Sequence, residues 1–478
     1  MAKLFGTDGI RGIAGSELSE KLALKIGQSL IKVLKERKIK RPLVLIGRDS
    51  RLSGDMLENA LAAGILSSGG DVYILGIIPT PAVAFLTKYY NADAGVVISA
   101  SHNSYEFNGI KIFSKDGFKL SDEEEDEIEN LILSNEFDNS EISFDKIGIK
   151  KNISEDAKKK YKKFLISSGK ELKRKKNSLK ILLDTANGAA SYMAEDVFKE
   201  LGFTVECINA RPNGLNINDK AGSTHPEILS EKILKEKFDI GFAFDGDTDR
   251  LIAVDENGRI IDGDQMLYIF SKMLKAKRKL KNNTVVATIM SNIGLKLALK
   301  RENINLELTS VGDRYVLENM LKHDFILGGE QSGHLIFLDK NTTGDGMYAA
   351  IKILDAMLYF NKKLSELSNG IKIYPQVLIN AKVLNKKKKL FEKDEEVLGE
   401  IEKIKDRLKG TSKIVIRQPQ SKNKDSVKLN LEVETYRVVI RPSGTEPLIR
   451  VMIEGEEEEI IRKEARKLAK LIERKYGK

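Results

Sequence analysis

The chain has 478 residues, enough for three or four domains with cores of their own, and its 41% apolar content excludes a disordered polypeptide. Its single cysteine excludes an internal disulfide framework, and no run of about 18 apolar residues offers a membrane-spanning helix. The net charge of +10 is spread over lysine-rich stretches such as 158–160, 173–176 and 386–389; acidic blocks interrupt them and no stacking aromatics interleave them, which argues against nucleic acid.

The chain opens MAKLFGTDGIRG. Asp8 and Arg11 fall where a secretory stretch would need to be apolar, so the expected compartment is the cytoplasm. Within this stretch FGTDGIRG (5–12) sets Thr7, Asp8 and Arg11 among three glycines, which let the backbone approach another segment or an anion closely. Arg11 is the expected neighbour of a serine loop further on.

One unit is then written three times, as strand, helix, strand, helix, strand, polar loop, strand. The first copy runs through LVLIG (43–47), DVYIL (71–75) and AGVVI (94–98). The second uses KILLD (180–184), TVECI (204–208), a helix from Pro226 to Lys237, and IGFAF (240–244). The third uses TVVATI (284–289), NLELT (305–309), a helix from Arg314 to Lys322, and FILGG (325–329). The third strands end in the polar loops SASHNS (99–104), DGDTDR (245–250) and GEQSGH (329–334), followed by GIKIF (109–113), RLIAV (250–254) and HLIFL (334–338). Cys207, within an apolar run, is expected as a packed core thiol.

Short β-branched runs separated by helices predict three α/β/α units with mostly parallel, mixed sheets. Ligands of such sheets sit outside the carboxyl ends of the strands, where the three loops lie. Beyond residue 371 the pattern changes. YPQVLINAKV (374–383) and YRVVIRPSG (436–444) read as strands, and a closing helix from Glu457 to Tyr476 repeats Ile461, Ala465, Leu468 and Ile472 at helical spacing. A C-terminal α+β domain is expected there. The divisions expected are 1–154, 155–257, 258–370 and 371–478.

DGDTDR carries the most specific chemistry. Asp245, Asp247 and Asp249 alternate after an apolar strand and can aim three oxygens at one hard cation such as Mg²⁺. Without a cation they would repel each other. An EF-hand competes, with Glu256 at its twelfth position, but its sixth is Arg250 rather than glycine and strands flank the loop. Arg250 would stand beside the ion and could hold phosphate oxygens. SASHNS offers Ser99, Ser101, His102 and Asn103, with Lys111 on the next strand; a serine needs such a base or metal to become a nucleophile. GEQSGH offers Glu330, Gln331 and Ser332 to sugar hydroxyls, and His334 for proton transfer. RPSGTEP (441–447) combines Arg441, Ser443, Gly444 and Thr445, a set of donors suited to a phosphate dianion, and Arg450 follows.

Taken in order, FGTDGIRG, ISASHN, DGDTDR, GEQSGH and RPSGTEP resemble the α-D-phosphohexomutase superfamily across essentially the whole chain. GLNIND (214–219), GSTHPE (222–227), VGDRYV (311–316) and Gln331 make the chain most similar to the superfamily's bacterial phosphoglucosamine mutase branch. The resemblance implies four domains around a central cleft. It implies that Ser101 is a phosphoserine whose oxygen shares Mg²⁺ with Asp245, Asp247 and Asp249. His102, Lys111 and Arg250 would surround the transferring phosphoryl group, with Lys111 or His102 as proton carrier. Glu330 and Ser332 would read sugar hydroxyls, with His334 close by. Arg441, Ser443, Gly444 and Thr445 would grip the other phosphate. The implied partner is a small phosphosugar, with no nucleic acid and no membrane, and a homodimer is allowed. The implied reaction interconverts glucosamine 6-phosphate and glucosamine 1-phosphate, feeding UDP-N-acetylglucosamine and cell-wall precursors. Mannose or glucose phosphates are the alternative substrates. An aspartate-nucleophile phosphatase is the alternative of another class, since FAFDGDTD resembles its strand-plus-DxD start. Two positions depart from the superfamily's pattern: Ser104 stands where proline ends the serine loop, and Thr248 stands where the metal loop carries glycine.

Overall fold

The computed structural model describes residues 4–6, 8–134, 143–174, 179–409, 413–416, 431–443 and 447–477. It separates into two compact units. One holds Met1–Thr288 and Thr309–Ser368; the other holds Ile289–Leu308 and Asn369–Lys478.

The first unit contains the first two repeated sheets and three strands of the third. In the first, Leu43–Arg48 lies parallel to both Asp71–Ile77 and Ala94–Ile98, and Phe107–Ser114 returns antiparallel to Ala94–Ile98. Gly9–Ile13 extends the sheet along Phe107–Ser114. In the second, Lys180–Asp184 lies parallel to Thr204–Ile208 and Ile240–Phe244, and Leu251–Asp255 runs antiparallel to the latter. In the third, Thr284–Thr288 and Leu327–Gly329 are parallel and Leu335–Phe337 is antiparallel. Each sheet is therefore mixed. A parallel strand leads into the polar loop, and the antiparallel return strand carries the chain away from it. The helices that parallel pairing requires cover the sheets. Their apolar residues, such as Leu57, Leu61 and Ile65 of helix Ser53–Ser67, pack with Val44, Ile46 and Val96 in one core.

Glycines allow close helix packing in this core. Helix Glu20–Glu36 crosses helix Ser53–Ser67 where a Cβ on Gly64 would lie 2.1 Å from the Leu24 carbonyl oxygen, and one on Gly27 would lie 2.5 Å from that of Leu61. Both obstacles are backbone atoms, which cannot rotate aside.

The second unit is an antiparallel sheet, Gln376–Lys382, Leu448–Glu454 and Arg437–Pro442, backed by helices Glu395–Lys409 and Glu458–Tyr476. Ile461, Ala465, Leu468 and Ile472 are fully buried in its core, as their spacing predicts. Helix Ile293–Arg301 belongs here too. The buried Glu454 carboxylate accepts the Ile293 N–H at 2.9 Å and pairs with Arg437 at 2.8 Å.

Cys207 departs from expectation. Its strand, Thr204–Ile208, is at the edge of the second sheet, and the thiol is half-buried rather than packed in the core. Burial, then Glu195, still push it up to about 12, so the thiol stays protonated and unreactive.

Gly64→Ala should force the two helices apart. The expected loss is about 1–3 kcal/mol, the usual range for overpacking, read as a lower midpoint in a thermal melt.

Candidate active site

Three loops of the first unit meet. The first begins where strand Ala94–Ile98 ends. Ser101 sits there in the left-handed region, φ 51°, a conformation that costs an L-residue energy and often marks a functional turn. Its side chain is buried, and its hydroxyl donates to Asp245 Oδ2 at 2.6 Å. His102 Nδ1 lies 3.4 Å from Ser101 Oγ. Burial, then the charges of Arg250 and Arg11, bring the His102 pKa down to about 4, so its ring is neutral at neutral pH.

The second loop joins strands Ile240–Phe244 and Leu251–Asp255, which settles the EF-hand question: strands, not helices, flank it. One carboxylate oxygen from each of Asp245, Asp247 and Asp249 lies within 4.8 Å of the others, and all three residues are buried. Asp245 Oδ1 accepts the Arg250 N–H at 3.1 Å. Asp247 Oδ2 accepts the Thr80 hydroxyl at 2.8 Å and the Lys111 ammonium at 3.2 Å. Asp247 Oδ1 and Asp249 Oδ1 are buried without a hydrogen-bond partner. Burial, reinforced by Asp249 and Asp247, pushes the Asp245 carboxyl well above its ordinary value. Three buried carboxylates with two unsatisfied oxygens fit a divalent cation, whose charge would remove the repulsion and fill both gaps.

Gly246 allows this loop to touch the first, since a Cβ there would lie 2.7 Å from the Ser101 carbonyl oxygen. Thr248 adopts φ 65°, the region where glycine is at ease and a β-branched residue is not. The superfamily's glycine at this position therefore has a conformational reason, and this chain carries the strain instead.

Lys111 is buried behind both loops, 3.0 Å from Asp8 and 3.2 Å from Asp247. Burial alone would discharge it, but Asp247, Asp8 and Asp249 outweigh that and hold its pKa above the ordinary lysine value. Arg250 Nε is 4.0 Å from Asp249 Oδ1. Arg11 pairs with Asp8 and lies opposite Gly109 on the strand that carries Lys111.

In the third loop Glu330 is half-buried and accepts the Gly312 N–H at 3.0 Å, while Ser332 is exposed. His334 is placed differently from the sugar-side position expected of it. It is 3% exposed, and Gly344 N–H donates to its Nε2 at 3.0 Å. That leaves the proton on Nδ1, which faces Asp249 Oδ2 at 3.5 Å. His334 thus lies behind a carboxylate of the cation site.

Sequence reasoning passed over the charges that tie these loops together. Lys119 Nζ lies 2.5 Å from Asp8 and 2.5 Å from Asp313, and Asp313 Oδ2 lies 3.5 Å from His334 Nε2. Asp313 belonged to VGDRYV, a motif to which no chemistry had been attached. Nothing marks Lys119 in the sequence, because its partner Asp313 is 194 residues away.

In the second unit Arg441 and Arg450 are directly opposed on neighbouring antiparallel strands, so both guanidinium groups leave one face of the sheet. Ser443 is buried beside them, its N–H on the Leu448 carbonyl at 2.9 Å. Gly444 and Thr445 lie outside the described residues.

Among the described residues, no helix is long and apolar enough to cross a membrane. Comparison with known proteins gives a consistent result. Four successive phosphoglucomutase/phosphomannomutase domain models match: α/β/α domain I over residues 2–139, domain II over 159–258, domain III over 262–374 and the C-terminal domain over 378–471. A phosphoglucosamine mutase of Clostridium botulinum (strain Loch Maree / Type A3) is 50% identical over 475 residues, which covers 99% of this chain and 100% of the relative. One from Caldicellulosiruptor saccharolyticus is 49% identical, covering 99% of each. Among solved structures, a phosphoglucomutase/phosphomannomutase family protein of Burkholderia thailandensis matches with a TM-score of 0.77 at 23% identity, covering 99% of this chain and 97% of the other. An Aspergillus fumigatus N-acetylphosphoglucosamine mutase, solved with GlcNAc-6P and magnesium, matches with a TM-score of 0.66 at 15% identity, covering 98% and 95%. Four domain models in sequence and full-length identity near one half place the chain in the phosphoglucomutase/phosphomannomutase family, within the α-D-phosphohexomutase superfamily.

Proposed function

We propose that this chain interconverts glucosamine 6-phosphate and glucosamine 1-phosphate through a phosphorylated Ser101. The observation that carries the reading is the 2.6 Å contact between the Ser101 hydroxyl and a buried aspartate trio built for a cation. The half-identical phosphoglucosamine mutases supply the substrate class.

In the forward direction phosphorylated Ser101 gives its phosphoryl group to O1 of glucosamine 6-phosphate. The P–O bond to Ser101 breaks as that to O1 forms; the neutral ring of His102 takes the proton of the O1 hydroxyl, and Lys111, held charged, gives one to the departing Ser101 oxygen. The 1,6-bisphosphate then turns over in the site. Ser101 takes the phosphoryl group from O6, which regains a proton, and glucosamine 1-phosphate leaves. Arg250 and Arg11 hold phosphoryl oxygens, and Glu330 and Ser332 read the sugar hydroxyls. We assign Asp245, Asp247 and Asp249, with the phosphoserine oxygen, to Mg²⁺, which neutralises charge on the transferring group when bound. Arg441, Ser443, Gly444, Thr445 and Arg450 are assigned to the phosphate that is not reacting, on their donor chemistry. His334 belongs with Asp249 rather than with the sugar. The same reading places the enzyme in the cytoplasm, allows a homodimer, and keeps the domain divisions at 1–154, 155–257, 258–370 and 371–478.

Ser101→Ala should abolish mutase turnover and the mass gain of one phosphoryl group after incubation with the 1,6-bisphosphate; substantial activity in that variant would end the proposal. Comparing kcat/KM on glucosamine, glucose and mannose 6-phosphates tests the sugar, with glucosamine expected to lead. Release of free phosphate instead of isomer would point to a phosphatase.

Chelation should silence the enzyme and Mg²⁺ restore it. Mg²⁺ at about 100 times its Kd should also stabilise the fold by about 2.7 kcal/mol, seen as a higher melting midpoint. Asp247→Asn should lose most of that rise.

A further inference from the structure

We infer that Arg51, working with Asp49 and Ser99, is the positioning device that fixes Ser101 for phosphoryl exchange. The inference rests on the reading of Ser101 as the phosphoryl carrier.

Arg51 is 1% exposed, just beyond strand Leu43–Arg48. A guanidinium has five N–H donors. Here five acceptors meet them. Nε donates to Asp49 Oδ2 at 2.9 Å. Nη1 donates to the carbonyls of Phe107, at 2.9 Å, and Ser104. Nη2 donates to the carbonyls of Ser101 at 3.0 Å and Asn103 at 2.9 Å. One side chain therefore gathers four carbonyl oxygens of the serine loop and the turn that follows it.

Asp49 closes the arrangement. Its Oδ1 accepts the Arg51 backbone N–H at 3.0 Å. Its Oδ2 also accepts the Ser99 hydroxyl at 2.6 Å, and Ser99 Oγ in turn accepts the Ser101 N–H at 2.9 Å. Both backbone polar groups of Ser101 thus trace to one buried carboxylate, the C=O through Arg51 and the N–H through Ser99. Asn218 adds a second donor to the carbonyls of Ser101, at 2.8 Å, and Asn103, at 2.9 Å.

The need for such a clamp is local. Ser101 occupies a left-handed conformation that persists in an L-residue only when its surroundings enforce it. The chain has Ser104 where the superfamily's loop ends in a rigid proline ring, and Arg51 bonds that residue's carbonyl. The reaction adds a demand. The serine gives a phosphoryl group to one sugar oxygen and takes it back from another after the sugar turns, so the serine must be the point that does not move. None of Arg51, Asp49 and Ser99 is assigned contact with reacting atoms; they act through Ser101. A lysine at position 51 would keep the charge and lose the planar fork that spans the carbonyls.

The test uses the full chain carrying Arg51→Lys or Ser99→Ala. Phosphoryl uptake from the 1,6-bisphosphate is followed by intact mass, beside steady-state kcat and KM, at a temperature where melts show each variant folded. Uptake rate and kcat should fall by ~10–100-fold in both, as for a reacting atom held slightly out of place, while KM for the sugar phosphate and the Kd for Mn²⁺ stay within about twofold of wild type. Should Arg51→Lys not fold, Ser99→Ala decides, since it deletes one hydroxyl. A folded variant with wild-type uptake and kcat, or one that changes KM alone, overturns the inference. A wild-type chain that takes up no phosphoryl group on Ser101 overturns the functional reading beneath it.

Discussion

The structure of the site is governed by negative charge taken out of water. Asp245, Asp247 and Asp249 are each no more than 4% exposed. Unit charges about 4 Å apart interact by roughly 4 kcal/mol even at an effective dielectric of 20. Such a loop is tolerable only where positive charge and donors surround it. Lys111 comes from the first sheet, Thr80 from a helix of that same repeat, and His334 from the third. Neutralising one loop therefore draws the three repeats to a common point. The demand spreads outward: Lys111 is shared with Asp8, Asp8 with Lys119, and Lys119 with Asp313. The chemistry and the packing of the first unit follow from the same electrostatic problem.

Much of this was legible in the sequence, for definite reasons. Strands 94–98, 180–184, 204–208 and 240–244 match their runs to the residue, because each is a short apolar run that gives way to a polar loop. The third repeat was less clear. Its strand Leu327–Gly329 leaves Phe325 and Ile326 outside the ladder, and its helix begins at Asp313, one residue early. The aspartate loop announced itself, since alternating carboxylates after an apolar strand have few other uses. The serine and sugar loops did not; each resembles an ordinary turn until the other loops stand beside it.

What stayed hidden depends on contacts between distant segments. His334 looked like a group facing the sugar because it follows Glu330 and Ser332. The extra glycine at 333, φ 92°, turns the chain so that the imidazole points inward to Asp249. Arg51 lies in an unremarked stretch 50 residues before the serine whose carbonyl it holds. Thr248 shows the converse. Its sequence departure was visible, but only the backbone angle reveals that the position is left-handed and that the loop keeps its ligands despite the misfit.

The second unit has an unusual relation to the order in which the chain is made. Helix Ile293–Arg301 emerges from the ribosome long before its partners, and the carboxylate that satisfies its first N–H follows 161 residues later, at Glu454. At ordinary rates of synthesis that gap lasts about 8–30 s. For about the first half of it the apolar residues Ile293 and Leu297 lack Tyr374, with which they pack. The nascent polypeptide thus carries a sticky interlude between two finished stretches of the first unit. Completion of the second unit waits for Glu454, so the first turn of this helix stays without its carboxylate partner for that whole interval.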